Sequence, residues 1–131
     1  MSRLTHAQAL QRVNAVGISV HSSGNCSDRN RPNCTSLDTI LAKTIDQIVA
    51  FKRKSGKVVI ITGGTETGHA SGTKSHWNGY KLDIAMNAGV TDYITKNFRY
   101  IGTTNGGRWA QYQDGSDIWT NEGNHWDIVI S

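Results

Sequence analysis

The sequence predicts an α+β fold, a small antiparallel sheet carrying one long helix and one or two short ones. Three observations lead there. With 131 residues, 37% of them hydrophobic and a single Pro, the chain falls in the single-domain range and can bury one core. Residues 35–56 keep a helical spacing of apolar side chains throughout. The C-terminal half strings together short strand-like segments that do not alternate with helices, as a doubly wound sheet would require. One domain over residues 1–131 is therefore expected.

Taken in order, THAQALQRVNAVG reads as a short helix capped by Thr5, with Leu10, Val13 and Val16 on one side and Gly17 as its stop. ISVHS reads as a short strand. Cys26 and Cys34 enclose CSDRNRPNC, a loop rich in turn formers. Eight residues apart around a turn, they predict a disulfide in preference to two free thiols, and with it an oxidising compartment. TSLDTILAKTIDQIVAFKRKSG is the long helix: Leu37, Ile40, Leu41, Ile45, Ile48, Val49 and Phe51 recur at helical spacing, Thr35 or Ser36 caps it and Gly56 ends it. KVVIIT is apolar on both faces and predicts a central strand. GGTETGHASGTKS, with four Gly and no apolar period, must be a loop. YKLDIAM alternates as a strand, TDYITKNF predicts a short helix, and RYIG, WAQYQ and HWDIVI predict further strands joined by turns.

The net charge is +4, with Lys and Arg dispersed along the chain. That favours attraction to anionic surfaces; no basic aromatic-rich strand or recognition-helix pattern points to nucleic acid. No apolar run approaches the roughly 18 residues of a membrane span.

Two stretches carry chemistry. SHWNGYKLD places His76 seven residues before Asp83 around a glycine turn, and NEGNHWDIVI places Glu122 three residues before His125. Imidazole and carboxylate are good zinc ligands, and a catalytic zinc takes three protein ligands and leaves one position open. His76, Asp83 and His125 supply such a set for one zinc ion per chain. Glu122 then serves as the base: an unligated carboxylate beside the metal can take a proton from water and pass it to a leaving amine. Asp127 is a candidate for orienting a ligand imidazole. Trp77, Tyr80, Trp109, Trp119 and Trp126 flank these motifs as groove-lining candidates, with core packing preferred for Trp126.

These segments resemble the signature of the zinc D-alanyl-D-alanine carboxypeptidase and L-alanyl-D-glutamate endopeptidase family: Ser-x-His, two residues, Gly, three residues, Asp, and later Glu-x-x-His. SHWNGYKLD lacks the residue between Ser and His but keeps His76, Gly79 and Asp83 at the family spacing, and EGNH supplies Glu122 and His125. ITGGTETGHASGTKSHWNGYKLDI also looks like the corresponding stretch of the hedgehog amino-terminal signalling domain, which shares the fold. The resemblance runs from about Val58 to Ile130. It implies a hedgehog/D,D-peptidase-like fold and zinc held by His76, Asp83 and His125, with Glu122 as catalytic base.

The activity implied is hydrolysis of amide bonds in bacterial peptidoglycan stem peptides, as in phage endolysins, tail-associated lysins and wall-remodelling enzymes. Where the carboxypeptidases carry an Arg after the central strand, this chain has TGGT, ending at Thr65. His69, as a catalytic oxyanion donor, and Arg29 or Arg31, reaching over from the cysteine loop, are the candidates to replace it; Arg29, Thr65 and Trp77 make up the expected substrate contacts. Hedgehog domains bind calcium through several acids near this loop; with only Glu66 here, no calcium site is expected. The alternative reading is a hedgehog-like binding module that holds zinc with little or no hydrolysis. A monomer acting outside the cytoplasm (secreted, periplasmic or phage-delivered) is expected; MSRLTHAQAL has no signal-peptide apolar region, so export would use a removed leader, a larger parent chain or lysis.

Overall fold

A computed structural model describes residues 2–70 and 72–131. The small antiparallel sheet with one long helix expected from the sequence is not what forms: the chain is mostly sheet. Its elements are β1 (Arg3–Leu4), α1 (His6–Asn14), β2 (Ser19–Val20), β3 (Ile40–Leu41), α2 (Ala42–Ser55), β4 (Ile60–Gly63), β5 (Lys81–Ala85), α3 (Ala88–Asn97), β6 (Arg99–Thr104), β7 (Trp109–Asp114), β8 (Asp117–Asn121) and β9 (His125–Val129). A seven-stranded sheet has the order β2-β4-β5-β9-β8-β7-β6, and β1 pairs with β3 apart from it.

The sheet is mixed because β2 and β4 pair in parallel, whereas the other neighbours are antiparallel. Helix α2 lies between those two parallel strands in the chain, so one helical crossover does occur where only antiparallel turns were expected. KVVIIT does yield an interior strand, β4, between β2 and β5.

The first two helices are shorter than their apolar periodicity, whereas α3 begins three residues ahead of the expected TDYITKNF segment. Thr5 caps α1 with a full capping box, its side chain accepting from Gln8 N at 3.1 Å while the Gln8 side chain returns to Thr5 N at 3.0 Å. At the other end of the second helical segment, Gly56 closes α2 in the left-handed conformation, φ 64°. The start of α2, however, falls at Ala42, with Leu41 at the cap and no side-chain cap bond. Residues 35–41 are claimed elsewhere: Thr35 Oγ1 lies 3.0 Å from both the His21 and the Thr62 carbonyl and shares its one hydrogen between them, Ser36 N donates to Glu66, and Thr39 takes a positive φ of 65°.

One continuous hydrophobic cluster joins Ala9 and Val13 of α1, Ile45, Ile48 and Phe51 of α2, Val90 and Ile94 of α3, and inward residues of the sheet. Phe51 and Trp119 rings lie 4.5 Å apart at its centre. Each such aliphatic or aromatic side chain stabilises the fold by about 1.5–3 kcal/mol on burial. Strand alternation then sorts the two central strands: Leu82, Ile84, Trp126 and Ile128 enter this core, and the intervening Lys81, Asp83, His125 and Asp127 are left for the opposite face. Trp126 is fully buried, as its place on β9 predicts.

The cysteine loop closes as a disulfide between Cys26 and Cys34, with Cα atoms 4.9 Å apart. No helix among the described residues is long and apolar enough to cross a membrane.

Candidate metal centre

Strands β5 and β9 build the floor of the site. Their register sets Asp83 opposite Asp127 and Ala85 opposite His125, so both acids and His125 share one face. His76 comes from the turn before β5. Its position is set by Gly79, whose φ of 84° lets Gly79 N bond the His76 carbonyl at 2.9 Å. Glu122 sits in the β8–β9 turn, where its N–H donates to the His125 carbonyl at 3.0 Å.

The four residues read from the two motifs converge on the wall of one cavity of about 470 Å³, together with His69 and Asp127. His76 Nε2 lies 3.3 Å from Asp83 Oδ1 and 3.1 Å from Asp127 Oδ1. His125 Nε2 lies 3.8 Å from Asp83 Oδ1 and 3.1 Å from Glu122 Oε1. The other His76 ring nitrogen, Nδ1, is 2.9 Å from the Gly64 carbonyl and donates to it, which turns Nε2 toward the acids.

His76 and Asp83 stand where a cation could be held. Asp83 Oδ1 is buried and makes no well-aligned hydrogen bond, although two imidazole nitrogens stand near it. Such an oxygen is costly without a partner. Ligand atoms held about 2.0–2.2 Å from one zinc ion lie roughly 3–3.5 Å from each other. The His76–Asp83 separation has this size, and the His125 distance is slightly greater.

Electrostatics agree. His76 is only 4% exposed, and burial alone would lower its pKa; the carboxylates of Asp127 and Asp83 outweigh that and raise it to about 9. Asp127 is held down at about 2: burial opposes ionisation, but the His76 hydrogen bond and the Lys81 charge, its Nζ 3.4 Å from Asp127 Oδ2, prevail. Glu122 is raised above the ordinary carboxylate value by burial and the nearby Asp127 charge, with His125 acting in the other direction.

Among the described residues, the group whose ligand atoms all lie within 4.8 Å of one another, and which could hold a metal ion, is His69, His76 and Asp83. The His69 ring stacks on His76 with centroids 3.8 Å apart, and its Nδ1 lies 3.9 Å from Asp83 Oδ2. Its Nε2 is bound by Glu66. Glu66 is itself buried and accepts from Ser36 N and Gly64 N at 2.9 and 3.0 Å. Burial would raise its pKa, but the bonds from His69 and these amides lower it, so Glu66 anchors His69 as a carboxylate.

The remaining expectations fare differently. Thr65 does not face the cavity: it is fully buried, and its hydroxyl lies 2.6 Å from the Asp38 carbonyl and 3.2 Å from that of Ser36, which makes it a clamp between loops. Arg29 does reach over from the cysteine loop, but to the Trp77 carbonyl and the Trp77 ring, 3.3 Å from the ring centroid, and neither residue lines the cavity. Arg31 is exposed and lines no part of the cavity. Trp109 borders the cavity, while Trp119 belongs to the core. Lys81, which no sequence motif marks, and Asp127 also line the cavity. Only the β5–β9 pairing, which sets alternate residues of both strands on one face, brings them to the site.

No protein-family model, curated protein or solved structure matches this chain.

Proposed function

We propose that the protein is a zinc metallopeptidase that hydrolyses amide bonds in peptidoglycan stem peptides, with His76, Asp83 and His125 as the zinc ligands. The observation that carries this reading is that these three donors line one cavity together with the carboxylate of Glu122, which lies 3.1 Å from His125. A purely structural zinc has no use for a spare carboxylate beside its ligands.

Zinc bound there supplies Lewis acidity to the scissile carbonyl and to the attacking water. Glu122 accepts the proton of that water on its carboxylate and delivers it to the departing amine nitrogen. Its raised pKa suits a group that must hold a proton briefly and then release it. Hydrogen bonding of His76 Nδ1 to Gly64 fixes the tautomer that presents Nε2. The open cavity of about 470 Å³, bordered by Trp109, has room for a few peptide residues.

Two further features agree with a wall substrate met outside the cytoplasm, whether the protein is secreted, periplasmic or phage-delivered. The net charge of +4 favours an anionic polymer, and the Cys26–Cys34 disulfide suits an oxidising compartment.

The test is Glu122→Gln, which keeps size and hydrogen-bonding capacity. About one zinc per chain should remain, while release of new amino termini from purified peptidoglycan falls by about 10²–10⁴-fold. His76→Ala should lose the zinc instead. Digestion at the parent rate by the Glu122 variant would sink the mechanism.

A further inference from the structure

We infer that Asp127 is a fourth protein ligand to the metal, alongside His76, Asp83 and His125. This rests on the metal site proposed above and extends it.

The argument turns on which nitrogen of His76 each neighbour engages. A carboxylate that merely orients a metal-bound imidazole bonds the nitrogen that faces away from the metal. In His76 that nitrogen is Nδ1, and the Gly64 carbonyl already occupies it at 2.9 Å. Asp127 Oδ1 instead lies 3.1 Å from Nε2, the same nitrogen that Asp83 Oδ1 approaches to 3.3 Å. Both carboxylates thus address the nitrogen that would bind the metal, at the spacing of atoms sharing one ion.

Two more observations point the same way. Asp83, 8% exposed, directs into this space an oxygen that makes no hydrogen bond, its nearest nitrogens being those of His76 and His125 at 3.3 and 3.8 Å, which leaves it open to an ion. Lys81 holds the other Asp127 oxygen, Oδ2, at 3.4 Å, which leaves Oδ1 as a single donor directed at His76. Backbone pairing of Asp83 with Asp127 makes the arrangement a property of the sheet, where side-chain positions are set by register.

Two imidazoles and two carboxylates form a harder donor set than two imidazoles and one. Such a site accepts ions with a taste for oxygen, manganese and cobalt among them, more readily than a three-ligand zinc centre does.

The test uses Co²⁺ added to the full chain and to Asp127→Asn, read by visible absorption and by competition against a chromophoric chelator. The parent protein should bind one Co²⁺ with the weak d–d bands of five or six ligands. The Asn variant should give stronger bands of lower coordination and lose more than about 100-fold in affinity, beyond the 10–100-fold that removal of an outer-sphere partner costs. Cobalt bound by both proteins with unchanged bands would overturn the role of Asp127 and leave the other three ligands standing. No cobalt bound by the parent would overturn the metal site itself. Should the Asn variant not fold, Asp127→Cys provides a second measurement: a thiolate in a ligand position adds a near-ultraviolet charge-transfer band to the cobalt spectrum, and bound cobalt without that band overturns the proposal.

Discussion

Glu122 shows how much a single side chain depends on neighbours from other strands. Burial and the Asp127 charge raise its pKa, and Lys81 is among the groups that restrain the rise. A base must be ionised to accept a proton, so activity falls as pH drops through this pKa. Lys81→Met removes a positive charge that favours the carboxylate, which raises the Glu122 pKa further and moves the acid limb of kcat/KM to higher pH. A pH profile of both proteins on one soluble stem-peptide substrate checks this; an acid limb that stays in place would remove Lys81 from the electrostatics of the base. The pair Glu122 and His125 was legible because three residues in a turn keep them together whatever the fold. Lys81 was not, since its meaning comes from a strand 46 residues away that carries Asp127.

Among the elements, the turn before β5 sets the geometry of His76 and draws on distant parts of the chain. Arg3 donates to the Asn78 carbonyl at 2.7 Å, Arg29 to that of Trp77, and Thr44 Oγ1 to that of Gly79 at 2.7 Å. Gly79 is packed so closely beneath them that a Cβ would lie 2.9 Å from Leu41 N and 2.9 Å from Arg3 Nη1, at a φ of 84°. Gly79→Ala should therefore cost well over about 1 kcal/mol and weaken zinc binding, because relief of the clash displaces His76. Denaturant unfolding together with zinc titration measures both effects; an unchanged zinc affinity would mean that the turn does not set the ligand. The glycine was visible in the motif, but its neighbours were not. The same holds for the start of α2: the period of Leu37, Ile40 and Leu41 is helical because all three are buried, while the Thr35 hydroxyl bonds to the sheet, Ser36 N to Glu66 and Thr39 N to the Leu4 carbonyl. Likewise β8 went unread among the turn formers around it, and the two-residue strands β1 and β3 are too short to show a period.

Across the whole molecule, a sheet whose one face is a dry core carries on the other a set of charges that hold the fold only when balanced. Under chelation, His76 and Asp127 balance each other. The His76 pKa rises from 6.5 to about 9 in the fold, since the carboxylates of Asp127 and Asp83 overcome the opposing effect of burial. Its contribution is therefore complete below pH 6.5, where folded and unfolded chains both hold the proton, and is lost as pH climbs through about 9. Asp127 has the opposite sign: held at about 2 despite burial, it contributes above pH 3.8 and is lost as pH falls toward 2. The chelated protein should thus be most stable between about pH 4 and 6.5. A rise of that size at a buried group is worth on the order of 3 kcal/mol, which corresponds to a drop in Tm of roughly 10 °C between pH 6.5 and 9. Zinc reverses the demand on His76, because a ligating imidazole must be neutral. Saturating zinc should therefore abolish the alkaline drop and make stability rise with pH over the same interval. Thermal unfolding from pH 5 to 9, with chelator and with zinc, tests both halves: a flat Tm under chelation would mean that His76 is not held between the two acids, and an alkaline drop that persists in zinc would mean that the ion does not take the place of the proton.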